Sequence, residues 1–310
     1  MNDAKVLFAG TPDFALASLK ALVEKNILPL AVLTQPDRPA GRGKKLTASP
    51  VKQYANERGI PVLQPTTLRD ATVIAELQAL KPDILIVAAY GLILPQEVLD
   101  IPAQGCLNVH ASVLPRWRGA APIQAAILAT DKSTGISLMK MTAGLDCGPV
   151  FLSESVKVGA EETAGELHDR LAELGGRILA ENLDAIVAGE LDAIEQDESL
   201  VTYAKKITTA DAALDWMLSS NDVCLKVRAY NPVPGAHFRL GEERVKCWRA
   251  KAIDATGSTP GTVVSADRDG VVVACGEGAV ALRELQRPGK SRVSAREFSA
   301  QTNPQGQVLA

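Results

Sequence analysis

The sequence has 310 residues and a formal net charge of −3, with 46% hydrophobic and 22% charged residues. These proportions are ordinary for a soluble globular protein, and no apolar run approaches the ~20 residues that a membrane-spanning helix needs. Five scattered cysteines and three distant histidines predict neither disulfides nor a metal site. The first residues enter a strand pattern without the features of a secretory leader. A cytoplasmic protein without a membrane partner is therefore expected. The sequence does not give the oligomeric state, and a monomer is the default expectation.

The first half of the chain alternates between strand and helix patterns. Strands are predicted from short apolar runs at residues 5–10, 30–35, 83–90, 106–110, 135–141 and 149–158. Helices are predicted from the spacing of apolar residues at 12–26, 48–58, 70–80, 120–129 and 163–188. Strands that are apolar on both faces and alternate with helices predict an α/β fold with a Rossmann-like, mostly parallel sheet.

The first strand-to-helix turn reads AGTPDFA, which has one glycine where the dinucleotide fingerprint GxGxxG has three. The chain also lacks the phosphate-binding pattern GxxxxGK[ST]. Neither a dinucleotide in this turn nor an ATP-driven step is expected.

The pattern changes near residue 190. Residues 190–206 lack sustained periodicity and are predicted to connect a Rossmann-like catalytic domain at 1–189 to a C-terminal domain at 207–310. A helix is predicted near 211–219, then several short strands separated by glycine and proline, and a tail without regular structure after Phe298. Short strands at such spacing predict a small, OB-like β-barrel.

Two segments carry a local excess of positive charge. Residues 34–52 hold five basic residues against Asp37 alone, and residues 283–296 hold five against Glu284 alone. Such patches are either solvated loops or surfaces that meet a polyanion, and charge by itself favours neither interpretation.

Polar residues of a catalytic kind follow two of the predicted strands. Asn108 and His110 alternate along one strand, so their side chains share a side near its carboxyl end, where ligands bind in open α/β sheets. Asp146 lies in a glycine-rich loop after the second strand, and a carboxylate there can orient an imidazole. An amide, an imidazole and a carboxylate together suit acyl transfer.

Each of these residues also has a structural interpretation. A buried histidine is commonly a satisfied core residue, Asn108 can bond main-chain groups at the strand end, and Asp146 fits an Asx turn. No protein nucleophile is evident, because GxSxG is absent and Cys106 and Cys147 have no basic setting. In a catalytic site the attacking group would belong to a substrate.

Residues 107–127 and 134–150 together closely resemble the formyltetrahydrofolate-dependent formyltransferases. Members share an Asn-x-His strand end, an SLLPRYRG-like loop and a later loop containing aspartate; here Val113 replaces the usual leucine and Trp117 supplies the aromatic residue. The resemblance extends over nearly the whole chain through AGTPDFA, VAAYGLILP at 87–95, the basic segment at 34–52 and AYNPVPGAHF at 229–238.

The resemblance implies transfer of a formyl group from 10-formyltetrahydrofolate, a co-substrate, to an amine, without a metal. Asn108 and protonated His110 would stabilise the developing oxyanion, and Asp146 would hold His110 and help to move the amine proton. The folate would be bound by Tyr90, Ser112, Val113, Leu114, Pro115 and Gly144.

Within the family, the basic loop and the C-terminal domain favour members that formylate initiator methionyl-tRNA for translation initiation. The expected tRNA contacts are Arg38, Arg42, Lys44 and Lys45 in the loop, and Lys290 and Arg292 in the C-terminal domain. Glycinamide ribonucleotide formyltransferases lack the C-terminal domain, whereas formyltetrahydrofolate dehydrogenase and the bifunctional sugar-nucleotide enzymes carry a further domain. The alternatives are a formyltransferase of another amine, such as a sugar nucleotide, and a non-catalytic tRNA-binding protein.

Overall fold

The computed structural model describes residues 4–40, 45–254, 257–267 and 270–310. The chain divides into two compact units. The sheet unit comprises Met1–Pro122, Ser133–Val156 and His168–Ala204, and the C-terminal unit comprises Ile123–Lys132, Lys157–Leu167 and Lys205–Ala310. Within the described ranges, no helix combines the length and apolar character that crossing a membrane requires.

The strands of the first unit lie mostly in one sheet. They are β1 (Val6–Gly10), β2 (Ala31–Leu33), β3 (Arg38–Ala40), β4 (Lys45–Thr47), β5 (Val62–Leu63), β6 (Ile84–Ala88), β7 (Cys106–His110), β8 (Arg118–Gly119), β9 (Ser133–Lys140), β10 (Val150–Lys157) and β11 (Tyr203–Ala204). The seven-stranded sheet has the order β10-β9-β7-β6-β1-β2-β5, while β3–β4 and β8–β11 form two small separate pairs.

The central strands β2, β1, β6 and β7 pair in parallel, which confirms the predicted α/β fold with a mostly parallel sheet. The exception is β9, which pairs antiparallel with β7. Every residue of β1 and β6 is buried, as continuous apolar runs require when both faces of a sheet are covered. The strand ends are therefore held by a packed core, on which a precise site can be built.

The described residues form eight α-helices. They are α1 (Asp13–Glu24), α2 (Pro50–Glu57), α3 (Ala71–Ala79), α4 (Gln96–Leu99), α5 (Pro122–Leu128), α6 (Ala164–Ala188), α7 (Ser220–Ala229) and α8 (Ala295–Thr302). A β-carbon at Gly10 would lie 2.5 Å from the Ala15 side chain and 2.9 Å from the Ala88 carbonyl oxygen. The single glycine of AGTPDFA thus serves the close packing of α1 against the sheet.

The C-terminal unit contains a six-stranded antiparallel sheet. Its strands are β12 (His237–Leu240), β13 (Glu243–Ile253), β14 (Val263–Asp267), β15 (Gly270–Ala274), β16 (Ala279–Gln286) and β17 (Val293–Ser294). They have the order β12-β13-β16-β15-β14, with β17 on β16. Trp216, Phe238 and Phe298 lie in the core of this unit. The predicted short strands are confirmed, and they form an antiparallel sheet.

Two helices of this unit differ from the sequence prediction. The predicted helix near 211–219 is a single 3-10 turn, and α7 begins only after Ser219, whose hydroxyl accepts a hydrogen bond from the Asp222 N–H. The first residues of the predicted tail after Phe298 belong to α8. This helix begins at a reciprocal capping box between Ser294 and Glu297. In both cases the capping residue, rather than the spacing of apolar residues, sets the residue at which the helix begins.

Candidate active site

Asn108 and His110 lie at the carboxyl end of β7, in the interior of the sheet. Asn108 is in register with Val87 of β6, and His110 with Ser137 of the antiparallel β9. The His110 side chain is only 7% exposed, so its neighbours rather than solvent set its orientation. The alternation predicted from LNVH is present, and it places the amide and the imidazole side by side.

The imidazole of His110 is held by a main-chain carbonyl. Its Nε2 lies 3.0 Å from the carbonyl oxygen of Trp117, which can only accept, so Nε2 carries a proton. The other ring nitrogen, Nδ1, lies 3.7 Å from Oδ2 of Asp146, an ion-pair distance that is too long for a hydrogen bond. Nε2 therefore faces the main chain of Trp117, and Nδ1 faces the Asp146 carboxylate.

The carboxylate of Asp146 contacts both β7 and β8. Oδ2 accepts a hydrogen bond from the Gly119 N–H at 2.8 Å, and Oδ1 lies 3.5 Å from the side-chain amide nitrogen of Asn108. Asp146 has a φ of 49°, in the left-handed region. Such a conformation persists where the surroundings determine it, and it is common at functional sites.

The predicted folate loop, residues 112–115, is held by hydrogen bonds to the Ser137 side chain of β9. The Ser137 hydroxyl donates to the Ser112 carbonyl oxygen at 2.8 Å and accepts from the Leu114 N–H at 3.0 Å. The Ser112 hydroxyl donates to the carbonyl oxygen of Arg116 at 2.6 Å. Ser112 and Leu114 are buried, and Val113 and Pro115 are partly exposed. Sequence reasoning missed Ser137, because a serine in an apolar strand carries no distinctive pattern.

The other two predicted folate contacts differ in exposure. Gly144 is exposed, next to Leu145, whose side chain is 62% exposed. Tyr90 is almost fully buried, and burial raises the pKa of its phenol. Its carbonyl oxygen accepts from the Thr11 hydroxyl at 3.0 Å. The folate contact of Gly144 stays a prediction. Because the Tyr90 side chain is buried, Tyr90 could contact the folate only through its main chain.

Residues 194–204, which lie within the predicted connection at 190–206, bond to the sheet unit. Gln196 donates to the carbonyl oxygens of Asp146 and Gly148, at 2.9 and 2.7 Å. Further along, the Trp117 N–H donates to the Thr202 hydroxyl at 2.9 Å, and β11 pairs in parallel with β8. No local pattern in the sequence signals these long-range contacts.

The predicted tRNA contacts of the basic loop fall partly on the hairpin formed by β3 and β4. Arg38 and Lys45 are exposed on this hairpin, whereas Arg42 and Lys44 lie outside the described residues. Lys52, which contributed to the local charge excess, forms an ion pair with Asp37 at 2.8 Å. Hydrogen bonds from Lys52 lower the pKa of the Asp37 carboxyl.

The predicted contacts of the C-terminal unit, Lys290 and Arg292, are both exposed. The Arg292 guanidinium lies 3.8 Å from the centroid of the Trp248 ring. Nearby, Arg287 is bound to Glu243 at 2.6 Å, so part of the basic patch is already compensated. These observations leave the tRNA role of Lys290 and Arg292 a prediction.

The cysteines are free thiols. Burial raises the pKa of Cys106 to about 12, and the pKa values of Cys224 and Cys275 to about 11. These three thiols are therefore poor nucleophiles at neutral pH. Among the residues that the structure describes, no three His, Cys, Asp or Glu side chains are grouped so that they could hold a metal ion.

Family models match nearly the whole chain. The formyl transferase model matches residues 4–183, and the model of the formyl transferase C-terminal domain matches residues 206–303. The methionyl-tRNA formyltransferase of Aromatoleum aromaticum is 53% identical over 294 residues, which cover 95% of this chain and 93% of that protein. The corresponding protein of Pseudomonas fluorescens is 52% identical over 92% of this chain and 89% of its own length. The chain belongs to the formyl transferase family.

Solved structures share the fold at lower identity. An N-formyltransferase from Helicobacter canadensis, in a complex with folinic acid and dTDP-3-aminofucose, has a TM-score of 0.66 at 16% identity and covers 92% of this chain and 99% of its own. HypX from Aquifex aeolicus, in complex with tetrahydrofolic acid, has a TM-score of 0.65 at 19% identity. The match covers 97% of this chain and 48% of HypX, so the chain spans about half the length of that protein.

Proposed function

We propose that this protein transfers the formyl group of 10-formyltetrahydrofolate to the amino group of methionyl-tRNA, the initiator of translation. The observation that carries the proposal is the cluster of amide, imidazole and carboxylate at the end of β7, formed by Asn108, His110 and Asp146. Curated relatives named methionyl-tRNA formyltransferase, 52–53% identical over nearly all of the chain, support the choice of the accepting amine.

The residues around the cluster fit a reduced pterin. Pterins are flat and partly apolar, with polar edges, and they suit a site with exposed apolar side chains beside fixed main-chain groups. Leu145, the residue before Asp146, is 62% exposed, and the main chain of residues 112–115 is held in place by Ser137. When bound, the folate supplies the activated formyl group.

The protein stabilises charge rather than providing a nucleophile. The amine of the aminoacyl ester attacks the formyl carbon, and negative charge builds on the formyl oxygen. Asn108 and the Nδ1–H of protonated His110 donate hydrogen bonds to that oxygen. One preorganised donor of this kind lowers the barrier by about 3 kcal/mol.

Asp146 has two roles in the proposed reaction. Its carboxylate, 3.7 Å from Nδ1 of His110, holds the imidazole in place. It also helps to take the proton that the amine loses, while the folate nitrogen that leaves gains one. One carbon–nitrogen bond forms and one breaks, so the transfer needs no oxidant and no external energy source.

In the proposed division of labour, residues 1–189 carry the chemistry and residues 207–310 form an OB-like domain that holds tRNA. Arg38 and Lys45 on the β3–β4 hairpin, and Lys290 and Arg292 in the C-terminal unit, are exposed cations that suit phosphate contacts. The neighbouring residues Arg42 and Lys44 would act with the hairpin.

The decisive experiment supplies the purified protein with 10-formyltetrahydrofolate labelled in the formyl group and with charged initiator tRNA. Labelled formylmethionine, released by hydrolysis of the aminoacyl ester, is the expected product. Uncharged tRNA and a nucleotide-linked amino sugar are the controls. Label on the amino sugar alone would favour a sugar formyltransferase, and salt-sensitive tRNA binding without transfer would favour a binding protein; either result overturns the proposal.

A further inference from the structure

Residues 194–204 form a segment that we call the strap, and it contacts both loops of the site. At one end, Ile194 exchanges two main-chain hydrogen bonds with Val150, the residue at which β10 begins, at 2.8 and 2.9 Å. At the other end, the main chain of Thr202 and Ala204 accepts hydrogen bonds from Arg118 and Ala120, each at 2.9 Å. The strap thus joins the loop that carries Asp146 to the loop that follows His110.

The side chain of Gln196, in the strap, bonds directly to the Asp146 loop. Its Nε2 donates to the carbonyl oxygens of Asp146 and Gly148, and its Oε1 accepts from Nε of Arg118 at 3.0 Å. The two carbonyls can only accept and the guanidinium can only donate, so the amide has one possible orientation. Both amide hydrogens and the amide oxygen are used.

Arg118, which bonds the Gln196 side chain, is itself buried and held by an ion pair. Its side chain is 3% exposed, and its guanidinium forms an ion pair with Glu198 of the strap at 2.7 Å. The next residue, Gly119, donates its N–H to the Asp146 carboxylate. Asp146 is therefore held twice, through its own carbonyl by Gln196 and through its carboxylate by Gly119.

We propose that Gln196 is a positioning residue, which holds the Asp146 loop so that the carboxylate stays beside His110 and Asn108. Asp146 has a left-handed backbone, and the Gln196 amide bonds the carbonyl of this residue and that of Gly148. Removal of these two bonds allows the loop to relax and the carboxylate to leave its position. The inference rests on the proposed function, because it assigns Gln196 to the same formyl-transfer site.

The test compares two substitutions of Gln196 with one of its neighbour. Gln196→Glu keeps the shape of the side chain and an acceptor for Arg118, but it replaces the donor Nε2 by a carboxylate oxygen that faces the two carbonyl oxygens. Gln196→Ala removes every contact, and Glu195→Gln is the control, since Glu195 is an exposed residue of the same strap. For the Gln196 variants we expect kcat to fall by roughly 10- to 100-fold, as misplacement of a catalytic group by about 1 Å does. KM for methionyl-tRNA should change by less than about threefold, and Glu195→Gln should match the wild type.

A double-mutant cycle separates positioning from general stabilisation. If Gln196 acts through Asp146, then Gln196→Glu should cost less than about twofold in an Asp146→Asn background, because the group that it positions is already disabled. Three outcomes would each overturn the positioning role. They are losses of kcat that multiply in the double variant, a wild-type kcat in Gln196→Glu, and failure of both Gln196 variants to fold.

The same series distinguishes this inference from the proposed function. Absence of formyl transfer by the wild-type protein would overturn both. Transfer by the wild type, together with a strong loss in Asp146→Asn and independent losses at Gln196, would leave the function standing and overturn only the inference.

Discussion

The carboxylate of Asp146 accepts a hydrogen bond from the main-chain N–H of Gly119, at 2.8 Å. The two residues are 27 positions apart: Gly119 lies in the short strand β8, and Asp146 lies in the loop between β9 and β10. This bond holds the Asp146 carboxylate near the end of β7, where Asn108 and His110 lie. A shift of about 1 Å between these two segments would separate the carboxylate from the imidazole and cost turnover.

Asp146→Asn is expected to abolish most activity without unfolding the protein. The oxygen of the introduced amide can still accept from the Gly119 N–H, but the negative charge beside His110 is lost. We expect kcat to fall by about 10²- to 10⁴-fold, the usual contribution of a proton-transfer group. Steady-state kinetics and denaturant unfolding measure the two effects separately. Asp169→Asn, at an exposed carboxylate on α6, is the control. A kcat within about threefold of the wild type would remove Asp146 from the mechanism.

Gly119→Ala should damage both stability and activity. Gly119 has a φ of 116°, and a β-carbon there would lie 2.5 Å from the carbonyl oxygen of Ala204, so β8 would have to move away from β11. Gly59→Ala is a matched control, because Gly59 also has a positive φ, of 68°, but its β-carbon would meet open space. The control should lose about 1–2 kcal/mol of unfolding free energy from backbone strain alone and keep its turnover. Equal effects of the two substitutions would mean that the contact with Ala204 is unimportant.

The β3–β4 hairpin is expected to contribute to tRNA affinity through charge. Arg38→Gln combined with Lys45→Gln should weaken binding and reduce the slope of log K against log [salt] by about 0.7–0.9 for each lost phosphate contact. Lys25→Gln, which removes one positive charge at the C-cap of α1, should leave the slope unchanged. Filter binding or fluorescence anisotropy over a salt series measures the slope. An unchanged slope in the hairpin variant would place the tRNA elsewhere.

His237 should make the C-terminal unit less stable in mild acid. Burial, with a further contribution from Arg244 and Lys246, lowers the pKa of His237 below its usual value near 6.5. The unfolded chain then binds a proton that the folded unit does not, so stability is full above about pH 6.5 and is lost as the pH falls below it. His237→Gln should flatten this loss below about pH 6.5. Chemical unfolding at a series of pH values tests it. The pH dependence of the two proteins should coincide above pH 7, and a difference there would exclude His237 as the cause.

Much of the fold could be predicted from local patterns. The apolar runs of β1 and β6 predict strands covered on both faces, because only buried parallel strands tolerate such runs. The direction of β9 could not be predicted, since GISLMKM is equally apolar in either orientation. The start of α7 was missed, because apolar spacing marks a helix more clearly than the hydroxyl that caps it.

The sequence by itself determined that Asn108 and His110 share one face at the end of a strand, because side chains alternate along β structure. It also determined the family, through motifs that extend over most of the chain. Only the tertiary structure decided what holds Asp146 and His110: the N–H of Gly119, the carbonyl of Trp117 and the amide of Gln196. Gln196 lies 50 residues from Asp146 and 78 from Arg118. Contacts across such distances arise from the way strands and loops assemble, and no local periodicity encodes them.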